Sequence, residues 1–127
     1  MGSYTGATMN TNSGDQLGPR YVVKVFNKEL GVWAFLVIDN TKLGPGKGGI
    51  RMTGSVSEEE VLRLARAMTY KNALAQIPFG GAKSGIQFDP KKHTPAQKTK
   101  LISWFAKELQ PLLIKYYIAG PDINTTE

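Results

Sequence analysis

The chain has 127 residues, 41% of them hydrophobic, which suffices for one compact domain with a core of its own. It holds no cysteine and a single histidine, His93, so disulfide scaffolds, thiolate metal centres and the common histidine-rich metal sites are excluded and no metal site is expected. Lysine and arginine number 16 against 10 carboxylates, a net charge of +6 that points to anionic partners without saying which.

Residues 1–18 are polar and rich in Gly, Ser, Thr and Asn, the composition of a flexible tail, and lack the charged-then-apolar order of a signal peptide. The folded domain is expected to begin near Pro19 or Arg20 and to occupy 19–127. No stretch approaches the ~18 apolar residues that span a bilayer, so no membrane association is expected.

Tyr21–Phe26 (YVVKVF) is rich in β-branched and aromatic residues and reads as a strand. Asn27–Gly31 reads as a turn, and Val32–Ile38 (VWAFLVI), apolar on both faces, as a second strand inside a sheet; the two should form a hairpin. Asp39–Ser55 carries five glycines and reads as loop, with Gly49–Met52 as a short extended piece pairing at a sheet edge. Ser57-Glu58-Glu59-Glu60 has capping-box spacing and opens a helix expected to run to about Gln76, before Pro78. Its apolar positions Val61, Leu64, Ala65, Met68 and Ala75 follow helical spacing, whereas Arg63 and Arg66 fall with Glu59 and Glu60 on a charged outer face. Phe79–Gly85 is a tight glycine-rich segment, followed by a short buried strand, Ile86–Phe88. Thr94-Pro95-Ala96-Gln97 is a second capping box with proline at the favoured first position, and its helix ends or kinks at Pro111. Tyr116–Ile118 forms a last strand. The expectation is a single α/β domain, a small mixed sheet covered by helices.

Three lysines stand where lysine is physically awkward. Lys47 lies between two glycines, Lys71 falls on the spacing 61, 64, 68, 71, 75 and shares the apolar helix face, and Lys83 lies within Gly-Gly-Ala-Lys-Ser-Gly. Flanking glycines let a backbone approach a ligand, and an ammonium on an apolar face needs an anionic partner. Two such groups ~7 Å apart at an effective dielectric of ~20 repel by roughly 2.4 kcal/mol. A converging set therefore suits a dicarboxylate while leaving one lysine neutral enough to act as a base. Each has a plainer reading too: Lys71 near a helix C-terminus, Lys47 in an exposed loop, Asp122 as a turn residue and His93 as a solvent-facing loop residue. Gly-Ala-Lys-Ser is no phosphate-binding loop, because Ala82 and Ile77 stand where that motif needs glycine. No Gly-x-Gly-x-x-Gly lies between a strand and a helix, so no cofactor-binding residues are expected in this chain. The basic residues are scattered over loops and helix ends, which counts against a nucleic-acid partner.

Together the segments Leu43–Arg51, Leu64–Ala73, Pro78–Ile86, Asp89-Pro90 and Gly120–Thr125 resemble, in order, the N-terminal domain of the glutamate/leucine/phenylalanine/valine dehydrogenases, over about Phe35–Glu127. Two departures stand out. Ser84 occupies a position where the family usually has glycine, and Tyr117–Asp122 (YIAGPD) replaces the usual Asp-Ile-Pro-Ala-Pro-Asp.

The resemblance implies oxidative deamination of an amino acid to a 2-oxo acid and ammonia, with NAD or NADP as hydride acceptor in the full enzyme and none bound by this chain alone. It implies that Lys83 is the low-pKa catalytic lysine activating water and that Asp122 shuttles the amine proton. Lys71 would hold the α-carboxylate and Lys47 the distal one, with Gly48, Gly49 and Met68 lining the substrate pocket. A lysine at the pocket end fits glutamate and 2-oxoglutarate. It further implies a homo-oligomeric enzyme whose dinucleotide-binding domain is absent from this chain, so that the chain alone is not expected to turn over; the absence of cysteine fits a cytoplasmic location. The alternative is a stand-alone, non-catalytic module binding a dicarboxylate or amino acid.

Overall fold

The computed structural model of the chain describes residues 14–125. The first two apolar runs form β1 (Tyr21–Asn27) and β2 (Val32–Ile38), paired antiparallel in the expected hairpin. Asn27 holds the turn, its Oδ1 accepting from the Leu30 amide at 2.8 Å, and Gly31 supplies the positive φ of 67°. On its other side β2 pairs antiparallel with β4 (Gly80–Gln87), so it lies inside the sheet as its two-faced apolar run requires.

The remaining elements are β3 (Gly46–Thr53), α1 (Glu58–Leu74), α2 (Pro95–Leu109) and β5 (Tyr117–Pro121). The sheet order is β1-β2-β4-β3-β5, with β3 parallel to both β4 and β5. Parallel crossovers are almost always right-handed. The connections β3–α1–β4 and β4–α2–β5 step across the sheet in opposite directions, so right-handedness sends their helices to opposite faces. Two separate hydrophobic clusters reflect this. Leu101, Phe105 and Leu109 of α2 pack on Leu36, Ile38, Met52, Ala82 and Ile86, whereas Val61, Leu62 and Ala65 of α1 pack on Phe35, Val37 and Val56.

Two segments expected to be glycine-rich loops are central strands instead. β3 is eight residues long and lies between β4 and β5, not a four-residue piece at an edge, and β4 begins at Gly80, not at Ile86. Their glycines are packing requirements: a Cβ on Gly48 would lie 1.6 Å from the Ala82 carbonyl oxygen, and one on Gly81 would lie 2.2 Å from the Thr69 amide nitrogen. Read in sequence alone, such residues are indistinguishable from turn formers.

Ser57 caps α1, its Oγ accepting from the Glu60 amide at 3.1 Å, but the other half of the expected box is missing because the Glu60 carboxylate turns to Arg51. Ala75 is the C-cap and Gln76 adopts a left-handed φ of 58°, so α1 ends before Pro78 is reached. Thr94 and Gln97 do form a reciprocal box at the start of α2.

The buried face of α1 also differs from the expected one. It carries Val61, Leu62, Ala65, Thr69 and Asn72, leaving Leu64 and Met68 half-buried and Lys71 and Ala75 exposed. Thr69 and Asn72 are tolerated inside because both are hydrogen-bonded. Thr69 Oγ1 donates to Asp39 at 2.6 Å, and Asn72 Nδ2 donates to the Gly80 carbonyl at 2.7 Å. Arg66 likewise leaves the outer face expected for it and donates through Nε to the buried Asp39 at 2.7 Å.

Candidate functional site

Strand alternation puts Lys47, Gly49 and Arg51 of β3 on the face covered by α1, together with Lys83 of β4. The same face is marked on β4 by Gly81 and Gly85, whose missing side chains are replaced by Thr69 and Val61 of α1. Asp122 follows directly on β5, close enough that a Cβ on Gly49 would meet its Cβ at 2.9 Å. The sheet order therefore gathers residues from three strands at one place.

The centre of the arrangement is an ion pair. Lys83 is only 7% exposed, and its Nζ lies 2.7 Å from Asp122 Oδ2. A buried ammonium needs such a partner, since desolvation without one costs several kcal/mol. The same carboxylate oxygen accepts from Arg51 Nε at 3.1 Å, and Arg51 Nη1 reaches Glu60 Oε2 at 2.8 Å. Burial works against ionisation of Asp122, but the Lys83 ammonium and the Arg51 guanidinium outweigh it and hold its pKa below the usual carboxylate value.

The other lysines have different neighbours. The Lys47 ammonium sits over the Phe79 ring, 4.9 Å from its centroid. Lys71 is exposed near the end of α1, one residue before Asn72, whose Nδ2 donates to the Lys47 carbonyl at 3.3 Å and to that of Gly80. Asn72 thus ties the Lys71 end of α1 to the strands carrying Lys47 and Lys83. Met68 is half-buried on the same helix. Gly48 and Gly49 are both buried, where side chains would strike Ala82 and Pro121 of the neighbouring strands.

Beneath this face, on the α2 side, lies a second set of polar groups. Ser84 Oγ donates to Tyr117 Oη at 2.8 Å, and Tyr117 Oη donates to the Gly48 carbonyl at 3.1 Å. Both residues are fully buried, and burial pushes the Tyr117 phenol well above its ordinary pKa, only partly offset by Ser84. Further out, Arg66 links Asp39 to Asp15 through bonds of 2.9 and 2.8 Å, so the segment read as the end of the tail is anchored on α1. Hydrogen bonds from Arg66 and from nearby backbone amides hold Asp15 well below the usual carboxylate range.

Arg51, Asn72, Tyr117 and Ser84 join the site only in the folded structure. A signal existed for two of them. Arg51 continues the period of two from Lys47 and Gly49, and Asn72 continues the spacing 65, 69, 72. A groove of about 630 Å³ between the β1–β2 turn and α2, lined by Leu30, Leu101, Trp104 and Lys107, lies across the sheet from Lys83 and Arg51. Among the described residues no three His, Cys, Asp or Glu side chains gather as a metal site, and no helix is long and apolar enough to cross a membrane. The glycines of Gly80–Gly85 have the space beside them filled by protein atoms of Asn40, Thr69 and Val61, so this run does not fit a dinucleotide phosphate.

Residues 22–127 match the family described as Glu/Leu/Phe/Val dehydrogenase, dimerisation domain. The glutamate dehydrogenase of Thermotoga maritima is 41% identical over 92 residues, covering 72% of this chain and 22% of that protein. The phenylalanine dehydrogenase of Caldalkalibacillus thermarum is 40% identical over 124 residues, covering 93% of this chain and 32% of that protein. The crystal structure of the hetero-hexameric glutamate dehydrogenase from Thermus thermophilus in its Leu-bound form superposes with a TM-score of 0.79 at 31% identity, over 84% of this chain and 28% of that one. The chain therefore spans roughly a fifth to a third of the length of these relatives.

Proposed function

The chain belongs to the Glu/Leu/Phe/Val dehydrogenase family, whose dimerisation domain it matches, and from that membership we propose that it is the substrate-binding and assembly domain of an NAD- or NADP-dependent amino-acid dehydrogenase acting on glutamate. The observation that carries this reading is the Lys83–Asp122 pair, 2.7 Å apart, in which a buried amine meets a carboxylate arriving from another strand. Deamination asks for a proton acceptor and a proton donor side by side, and an amine and a carboxyl within hydrogen-bond distance can take those roles. In this reading the Lys83 ammonium first gives up its proton to solvent, and the neutral amine then takes a proton from the water that adds to the imino carbon, while Asp122 exchanges a proton with the substrate amine nitrogen. Lys71 binds the α-carboxylate, while Lys47 binds the side-chain carboxylate at the far end of a pocket floored by Gly48 and Gly49 and bordered by Met68. In this reading the hydride acceptor is held by another part of the enzyme, and turnover requires that part.

Overall similarity does not choose among amino acids, because glutamate and phenylalanine dehydrogenases match at 41% and 40% identity. The glutamate reading rests on Lys47, since an ammonium at the pocket end favours a carboxylate over an apolar side chain. The similarity to the hetero-hexameric glutamate dehydrogenase of Thermus thermophilus supports assembly of this chain through the same domain.

The test is steady-state deamination by the complete polypeptide carrying this domain, with glutamate, leucine and phenylalanine as substrates. Lys83→Ala should abolish turnover with a thermal melt close to wild type, and Lys47→Leu should move preference from glutamate toward leucine. Undiminished turnover in a folded Lys83→Ala protein would overturn the reading. Unchanged preference in Lys47→Leu would remove the glutamate assignment alone.

A further inference from the structure

We propose that Arg51 is a positioning residue of this site, holding the Asp122 carboxylate against Lys83 while Glu60 at the start of α1 holds Arg51. The inference rests on the functional reading above and adds to it a residue that acts through another.

Three observations carry it. The first is the shared oxygen: Asp122 Oδ2 accepts from Lys83 Nζ at 2.7 Å and from Arg51 Nε at 3.1 Å, so one atom is held from two sides. The second is that Arg51 is itself fixed, with Nη1 2.8 Å from Glu60 Oε2 and a side chain only 21% exposed. This is the contact that draws Glu60 away from its capping box, so the first turn of α1 is tied to the arginine. The third is that the backbone around Asp122 has its own supports. Thr125 Oγ1 accepts from the Asp122 amide at 2.9 Å and donates to the Ile50 carbonyl. Asn124 Nδ2 donates to the Met52 carbonyl at 2.9 Å, and the Met52 amide donates to Ile123 at 3.0 Å. Residues 122–125 would stay on β3 without Arg51, so what the arginine governs is the direction of the Asp122 side chain.

The chemistry gives that role a use. Lys83 is the group whose proton moves, and its hold on Asp122 weakens whenever it is neutral. A guanidinium does not deprotonate in proteins, so Arg51 keeps its charge and its hold throughout. Its fork also serves two carboxylates in different directions through Nε and Nη1, which a lysine ammonium at the same place cannot reproduce.

The test is solution NMR of the 127-residue chain carrying Arg51→Gln or Arg51→Lys. In wild type the Hα–Hβ couplings of Asp122 should report one side-chain rotamer. In both variants they should average, while the amide shifts of residues 122–125 stay near wild type. The Asp122 carboxyl carbon should titrate at higher pH in Arg51→Gln, with a smaller rise in Arg51→Lys. A single rotamer and an unmoved midpoint in both variants would overturn the proposal. So would failure of both variants to fold, because Arg51 would then be a staple of the fold. No turnover is measured, so this outcome is independent of the kinetics of Lys83→Ala, and either reading can fail without the other.

Discussion

Removing one oxygen atom from Tyr117 should destabilise the domain more than its size suggests. The hydroxyl sits between two buried groups, accepting from Ser84 Oγ at 2.8 Å and donating to the Gly48 carbonyl at 3.1 Å. Tyr117→Phe deletes both bonds, leaving the serine hydroxyl without its partner and the Gly48 carbonyl with only its strand-ladder bond, in a region from which water is excluded. A buried group stranded in this way costs about 1–3 kcal/mol, so the pair should cost about 2–3 kcal/mol, allowing for partial relaxation. Ser84→Ala strands nothing, because the phenol keeps its bond to Gly48, and should cost about 1 kcal/mol. In the double variant no serine hydroxyl remains to be stranded, so the two losses should fail to add by about 1 kcal/mol. Urea denaturation of the four proteins, followed by circular dichroism, measures all three quantities, and thermal melts should show Tyr117→Phe lowered by roughly 10 °C. A loss below about 0.5 kcal/mol with no coupling would refute the claim that this pair braces the Gly48 segment.

Arg66→Met leaves the Asp39 carboxylate, whose side chain is 1% exposed, without its charge partner, so stability should fall by about 3 kcal/mol; a melt within a degree of wild type would refute that account. The pH dependence follows from Asp122. Its folded pKa lies below the unfolded value, so its contribution is fully present above the ordinary carboxylate pKa and is lost as pH falls through the folded one. The stability difference between wild type and Asp122→Asn should therefore be constant near neutrality and shrink on acidification below about pH 4. A gap that widens with acid would reverse the sign and contradict the ion-pair geometry.

Elements built by propensity and capping were legible in the sequence. The β1–β2 hairpin, the Ser57 and Thr94 caps and the central place of β2 follow from side-chain pattern alone. What pattern could not show was β3 and β4, since glycines placed for strand-to-strand and strand-to-helix contact look like turn residues until the neighbour is known. With β3 hidden, Lys47 read as a loop residue, and the period of two linking it to Gly49 and Arg51 went unused.

The misplaced face of α1 has a different cause and a consequence for the site. Spacing 61, 64, 68, 71, 75 and spacing 61, 65, 69, 72 are both helical, and hydrophobicity favours the first because it avoids Thr69 and Asn72. The second is realised because Asp39 and the Gly80 carbonyl offer those two residues partners inside the protein, which removes the penalty that hydrophobicity counts against them. The rotation of α1, and with it the exposed position of Lys71, is thus set by polar contacts at the ends of β2 and β4. Asn72 fixes that rotation while also holding the Lys47 carbonyl. Neutral groups thus place Lys71 relative to the strands that carry Lys47 and Lys83, while Lys83 itself is held by the Asp122 carboxylate. Charge marks these residues in the sequence, and the contacts around them decide their geometry.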